Sequence, residues 1–217
     1  LCDNPQYPSV NEDYLQDFEP TNPGAGTVES PYRITQWRHL ANIAKEPSAY
    51  FVLVNDLVAD DNDADYQAFA SASANDGSGW EPILDTNVPF TGHLDGNDKT
   101  ISGLVINRPN EDNIGLFAAL GSGATVKDLT LSATIEGRSH VGTVAGHTDN
   151  ATLENITVTN TGLTIGSVPT TYIDTDDGFK EKVDTGAIES SIAGGLVGEL
   201  RGNIIHRRVD QLVIHAT

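Results

Sequence analysis

The chain has 217 residues, a length that holds one large domain or two small ones with a sizeable core. Its 31 Asp and Glu against 12 Lys and Arg leave a formal net charge of −19, a field that repels phosphate backbones and anionic lipid, so nucleic acid and membrane-surface partners are disfavoured. No apolar run approaches the roughly 18–20 residues of a membrane span, which argues against membrane insertion, and a single cysteine excludes an internal disulfide or a cysteine-based zinc site.

Residues 1–26 are rich in Pro, Asn, Asp and Gly and show neither helical nor strand period, which predicts an extended lead or linker. With no Met at position 1 and no secretory segment, the chain reads as a mature fragment or an excised piece. Cys2 in this lead reads as a free thiol or a bridge to sequence outside the chain. A lipid-attachment cysteine is the alternative, and Leu1 ahead of it argues against that. Order is expected over 27–217, as one domain. Trp37, Leu40, Ala41 and Ala44 fall at i, i+3, i+4 and i+7, predicting an amphipathic helix over 36–45 with Thr35 as N-cap and Pro47 beyond its end. From Tyr50-Phe51-Val52-Leu53-Val54 onward the texture is short β-type runs between Gly, Asn and Asp, with no second helix of comparable strength.

Internal repeats select the architecture. Ile114-Gly115-Leu116-Phe117-Ala118 recurs as Val141-Gly142-Thr143-Val144-Ala145, and Ala124 to Leu131 recurs as Ala151 to Val158, both at an offset of 27. Thr100 to Ile106 matches Thr125 to Leu131 at 25, and Ala193 to Gly198 matches Val141 to Gly146 at 52. A unit this small cannot bury its own apolar residues and must stack on its neighbours, so a right-handed parallel β-helix is predicted, entered through the helix at 36–45 as a cap. The inward ladder should include Ile101, Leu104, Val126, Leu129, Leu131, Leu153, Ile156 and Val158. Apolar residues at 126, 129 and 131 imply a bend between two strand pieces. Gly115, Gly142 and Gly194 mark a corner needing positive φ or tight backbone approach, and Asp95-Gly96-Asn97-Asp98 reads as turn chemistry.

Pro89-Phe90-Thr91-Gly92-His93-Leu94-Asp95-Gly96-Asn97-Asp98-Lys99-Thr100-Ile101-Ser102-Gly103-Leu104 resembles the "P-F-x-G-x-x-D-G-N-G-x-T-I-x-G-L" segment of bacterial surface proteins with GLUG-type repeats. Gly194-Gly195-Leu196-Val197-Gly198 resembles the core motif of that repeat. Upstream, Glu29 to Ile34, Tyr50 to Leu57 and Trp80 to Ile83 are similar to the family's other motifs in the same order. Asp98 stands where the pattern has Gly, and two acidic loops, 59–79 and 160–190, are longer than the pattern. The resemblance covers about 27–217 and implies a secreted or surface-anchored adhesin, without catalytic residues.

Asp61, Asp63 and Asp65 alternate as oxygen ligands for calcium do, although Tyr66 and Ala72 stand where an EF-hand has Gly and Glu. Asp174 and Asp176 form a second candidate calcium pair. Against both stands a solvated acidic loop. Paired carboxylates such as Asp60/Asp61 and Asp176/Asp177 raise the alternative of a polysaccharide hydrolase or lyase. The six histidines show no metal-ligand spacing, and no nucleophile elbow or phosphate loop occurs. Thr100, Thr125 and Thr152 at one repeat position, with Thr130 and Thr157 at another, raise an ice-binding surface against the plainer reading of strand residues that stabilise a sheet. The function expected is a non-catalytic extracellular module of a larger surface protein, either binding a carbohydrate or protein partner or spacing a domain that does.

Overall fold

Apolar runs broken by Asn, Asp and Gly become strands that pair in parallel with the run one repeat further along. The computed structural model describes residues 17–19, 21–165, 172–174, 180–182, 193–194 and 196–216. Cys2 and Asp176 lie outside these, as do residues 1–16 of the expected lead and 166–171, 175–179 and 183–190 of the second acidic loop. The elements are β1 (Tyr32–Ile34), α1 (Trp37–Ala41) with a 3₁₀ turn (Asn42–Lys45), β2 (Tyr50–Leu53), β3 (Leu57–Val58), α2 (Ala64–Phe69), α3 (Ala74–Gly77), β4 (His93–Ile114), β5 (Phe117–Leu120), β6 (Thr125–Gly142), β7 (Ala145–Ile165), β8 (Tyr172–Asp174), β9 (Lys180–Lys182), β10 (Ala193–Gly194) and β11 (Val197–Ala216). The main sheet runs β1-β2-β4-β6-β7-β11, with β3 on β4, β5 on β7 and β10 on β6, every pair parallel. Among the described strands only β8 and β9 pair antiparallel, with one isolated antiparallel bridge between Gly79 and Ile106. The architecture is therefore all-β and mostly parallel with few helices, consistent with a solenoid.

The long strands are bent coils. Straight, the 22 residues of β4 would reach about 70 Å. Instead the backbone turns at left-handed residues: Asn97 (φ 51°), Asp98 (56°) and Asn113 (61°) in β4, Asp128 (52°) and His140 (53°) in β6, Asn150 (52°) and Asn155 (51°) in β7. Asn and Asp tolerate this region because a short polar side chain can bond its own backbone, as Asp95 does in accepting from the Asn97 amide at 2.8 Å. Asp128 places the expected bend between Val126 and Leu129. The glycines do the other half of the work expected of them. Gly115 and Gly142 have no positive φ; the preceding Asn113 and His140 carry it. Their lack of a Cβ is needed for approach, since one on Gly115 would stand 2.5 Å from the Gly142 carbonyl oxygen.

Register is where the repeat arithmetic needs correction. β6 and β7 pair at the expected offset of 27 from Thr125–Thr152 to Leu131–Val158, then slip to 28 from Thr134–Gly162 onward. In the other repeated segment Ile114 meets Val141 at 27, but Phe117 pairs with Ala145, at 28, rather than with Val144. Upstream, however, Thr100 pairs with Thr130, an offset of 30, and not with Thr125, which continues from His93. The path from His93 to Ile114 takes 21 steps against 16 for its partners Thr125 to Val141, and the five extra residues sit at irregularities after Asp95, Ser102 and Arg108. The hydroxyl columns are therefore Thr100–Thr130–Thr157 and, separately, Thr125–Thr152. The inward ladder is as expected, with all eight named residues at most 1% exposed.

At the N-terminal end the helix is shorter than predicted and buries a different face. α1 stops at Ala41 and tightens into the 3₁₀ turn, whose three-residue period brings Ile43 inward with Trp37 and Leu40 while Ala44 is exposed. The N-cap is Gln36, which makes no side-chain cap bond, and not Thr35. Asp65 supplies the cap from 27 residues away, its Oδ2 accepting from the Arg38 amide at 2.9 Å. Aromatic rings then seal the coil: Trp37 lies 5.5 Å from Tyr66 and 6.3 Å from Trp80, and the Trp80 indole donates to the Leu116 carbonyl at 3.1 Å. Phe90 stacks on Phe117 at 4.8 Å, continuing inward from Phe51.

Candidate binding face

Strand alternation that turns Leu94, Val126 and Leu153 inward turns their neighbours outward. Along successive coils this makes one outward column of Tyr50, His93, Thr125 and Thr152 and a parallel one of Val52, Asp95, Lys127 and Glu154. The Tyr50 and His93 rings stack at 4.2 Å and 15°, and partial burial lowers the His93 pKa, favouring the neutral imidazole. Lys127 bridges Asp95 at 2.7 Å and Asp128 at 3.2 Å, and its pKa is raised chiefly by the hydrogen bond to Asp95. Asp128 is held below its usual range first by the Asn155 amide, which donates to it at 2.8 Å, and then by Lys127. Around the bend, Thr100, Thr130 and Thr157 lie on adjacent strands beside the paired Ser102 and Ser132. The face thus offers an aromatic stack, hydroxyls able to donate and accept, and a lysine held between two carboxylates, which suits a polyhydroxylated ligand.

The first acidic loop is folded rather than open. Asp61 Oδ1 accepts from Gln67 Nε2 at 3.1 Å, Asp63 caps α2 by accepting from the Asp65 amide at 2.9 Å, and Asp65, 8% exposed, turns away to Arg38, whose Nε donates at 2.8 Å. The alternating carboxylates are read better as helix capping than as a shared oxygen cage. Among the described residues no three His, Cys, Asp or Glu side chains gather where they could hold a metal. Asp174 ends β8. Asp65→Ala is expected to cost about 2–3 kcal/mol, because it strips a charge-assisted pair and a helix cap together. The loss should be the same in EDTA and in millimolar calcium in a thermal melt; a loss seen only with calcium would contradict the assignment.

His39, 1% exposed, is a buried titratable group that the sequence did not single out. Its Nδ1 accepts from the Thr35 amide at 3.3 Å, and the Thr35 hydroxyl lies 3.2 Å away. Burial lowers its pKa, outweighing the opposing pull of Asp65, Glu19 and Asp17. Unfolded, the same imidazole protonates near the usual value of about 6.5. Stability from this site is thus complete above that pH and is lost as pH falls through the lowered folded value. His39→Gln should flatten the fall in melting midpoint as pH drops below about 6.5; an unchanged slope would show that His39 is not the linked group.

Two further arrangements cross coils. His147 Nδ1 lies 3.1 Å and His140 Nε2 3.4 Å from Glu199 Oε2, joining β6, β7 and β11. The signal that could have found the pair is the 52-residue offset, since 199 − 147 = 52. A cleft of about 360 Å³ opens beside the cap between Phe69, Trp80, Ile83 and Leu84, with Leu84 at φ 65°.

The geometry defines a mostly parallel β-sheet module, consistent with a solenoid, with polar outward columns. Over 142 residues, 64% of this chain, it is 42% identical to Halomucin of Haloquadratum walsbyi, and over 141 residues, 62% of the chain, it is 35% identical to a putative Gly-rich membrane protein of Evansella cellulosilytica. The matches cover 2% and 15% of those relatives' lengths. No protein-family model and no solved structure matches the chain. The second of these relatives is named as a membrane protein. No helix among the described residues is long and apolar enough to cross a membrane.

Proposed function

We propose that the chain is a non-catalytic module of a larger surface protein, a closed right-handed parallel β-helix that binds carbohydrate through its outward polar columns. The observation that carries the reading is the Tyr50–His93 stack continued by Thr125 and Thr152 on adjacent coils. Sugar rings pack on aromatic faces while their hydroxyls exchange hydrogen bonds with Thr and charged side chains, and a repeat spacing of about 4.8 Å between strands lets one chain of sugars contact several coils. The resemblance to GLUG-type surface proteins supports an extracellular setting, and the two relatives' names a surface- or membrane-associated one. At the first carboxylate pair, Asp60 and Asp61 already accept hydrogen bonds from the Asn62 amide and Gln67, which supports binding over hydrolysis.

The test is calorimetry against a panel of neutral and acidic polysaccharides, with reducing-sugar release followed in the same samples. One or more glycans should bind without turnover, and His93→Ala should weaken binding about tenfold, the loss expected of one stacking contact of about 1.4 kcal/mol. Release of reducing ends would establish a hydrolase or lyase instead, and no binding across the panel would leave the module as a spacer.

A further inference from the structure

We infer that Asn150 and Asn155 are acceptors for N-linked glycans. The inference rests on the surface reading above, because this modification is made on chains delivered across a membrane. Of all the asparagines in the chain, only these two are followed, after a non-proline residue, by a hydroxyl side chain: Asn150-Ala151-Thr152 and Asn155-Ile156-Thr157. That is the tripeptide an acceptor requires. Such tripeptides arise often by chance, so placement decides whether they are usable.

Both asparagines are exposed and sit at left-handed corners, at φ 52° and 51°. Their middle residues point into the core, Ala151 at 3% and Ile156 at 1% exposure. Asn and Thr of each tripeptide therefore stand together on the outer surface. At the first corner Asn150 Nδ2 donates to Asp149 Oδ1 at 3.2 Å, and both side chains are exposed. At the second, Asn155 Nδ2 donates to Asp128 Oδ1 at 2.8 Å. An amide nitrogen carries two hydrogens, and transfer consumes one. The Nδ2–C1 bond forms and the C1–O bond to the phosphate of a lipid-linked oligosaccharide breaks. The phosphate leaves with the electron pair, and the amide proton passes to a base of the transferase. The second N–H stays available to Asp128, so a glycan at Asn155 is compatible with the contact between coils.

The chain contains its own controls. Asn97 and Asn113 occupy left-handed corners of the same kind, but Lys99 and Gly115 follow two residues later. The experiment recovers the full protein from its own cells, scores its removal by protease added to intact cells, and maps modified peptides by mass spectrometry. Glycan-sized mass increments are expected at Asn150 and Asn155 and not at Asn97 or Asn113. The increment at Asn155 should vanish in Thr157→Ala and persist in Thr157→Ser, which keeps the hydroxyl; a parent-like melting midpoint in both separates a lost glycan from a misfolded chain. Unmodified Asn150 and Asn155 in a chain that external protease removes would overturn the acceptor inference and leave the surface reading standing. An unmodified chain that protease cannot reach in intact cells would overturn both.

Discussion

Gly142→Ala is expected to loosen the last described coil from the rest of the sheet. A Cβ at this position would stand 2.5 Å from the Gly198 amide nitrogen, 2.6 Å from the Val197 carbonyl carbon, and closer still to the Ala145 carbonyl oxygen. Every one of these atoms is backbone, contributed by β7 and β11, so no side chain can rotate out of the way. Relief requires the strands to separate, breaking bonds such as that from the Val144 amide to the Leu196 carbonyl at 2.9 Å. Overpacking of this kind costs about 3 kcal/mol. Gly123→Ala is the matched control: its φ is 88° but nothing lies within 4 Å, so only the left-handed penalty of about 1 kcal/mol applies. Urea melts of the two variants, with hydrogen exchange at the Val144 amide, read the difference. Equal losses would mean that backbone conformation, not close approach, makes glycine necessary at 142.

Leu129→Asp should unfold several coils together. Leu129 is 1% exposed, pairs with Ile156 on the next coil and lies among Val126 and Leu131. Leu129 belongs to the apolar core cluster, so the new carboxylate loses its hydration without a partner. A loss of about 4–5 kcal/mol or more is expected, comparable with the whole stability of an ordinary domain. Thr130→Asp, one residue on and turned outward, should change stability by about 0.5 kcal/mol. Melting curves of the pair test which side of the strand faces the core; the opposite ranking would invert the assignment at this coil.

The contrast between Leu129 and Thr130 was legible from residue order, because a strand turns alternate side chains to opposite sides whatever it pairs with. The 27-residue offset of Thr125 and Thr152 was equally legible, since no bulge interrupts the pairing from there to Leu131 and Val158. Thr100 was not. A short Thr-apolar-x-x-Leu pattern matched it to Thr125, while the bulges after Asp95, Ser102 and Arg108 carry it to Thr130. Bulged residues leave no mark in local hydrophobic order. Ala44 was misplaced on the buried face for a related reason: a switch from the α to the 3₁₀ period after Ala41 changes which side chains align, so that Ile43 rather than Ala44 is buried.

The candidate site divides in the same way. Tyr50, His93, Thr125 and Thr152 are ordinary strand residues one at a time, and they form a face because separate coils bring them into line. Asp61, Asp63 and Asp65 had the spacing of a cation loop, yet capping of α2 and the distant Arg38 claimed Asp63 and Asp65. Residue order along this chain suffices for the alternation, the corner chemistry of Asn and Asp, and the repeat that forces stacking, because each depends on near neighbours and on burial. Register across the bulged coil, the cap that Asp65 lends to α1, and the His140–His147–Glu199 contact depend on residues 27 to 59 positions apart. Those partners meet only after the coils have stacked, because the strength of a charge pair or hydrogen bond is set by distance and burial in space rather than by separation along the chain.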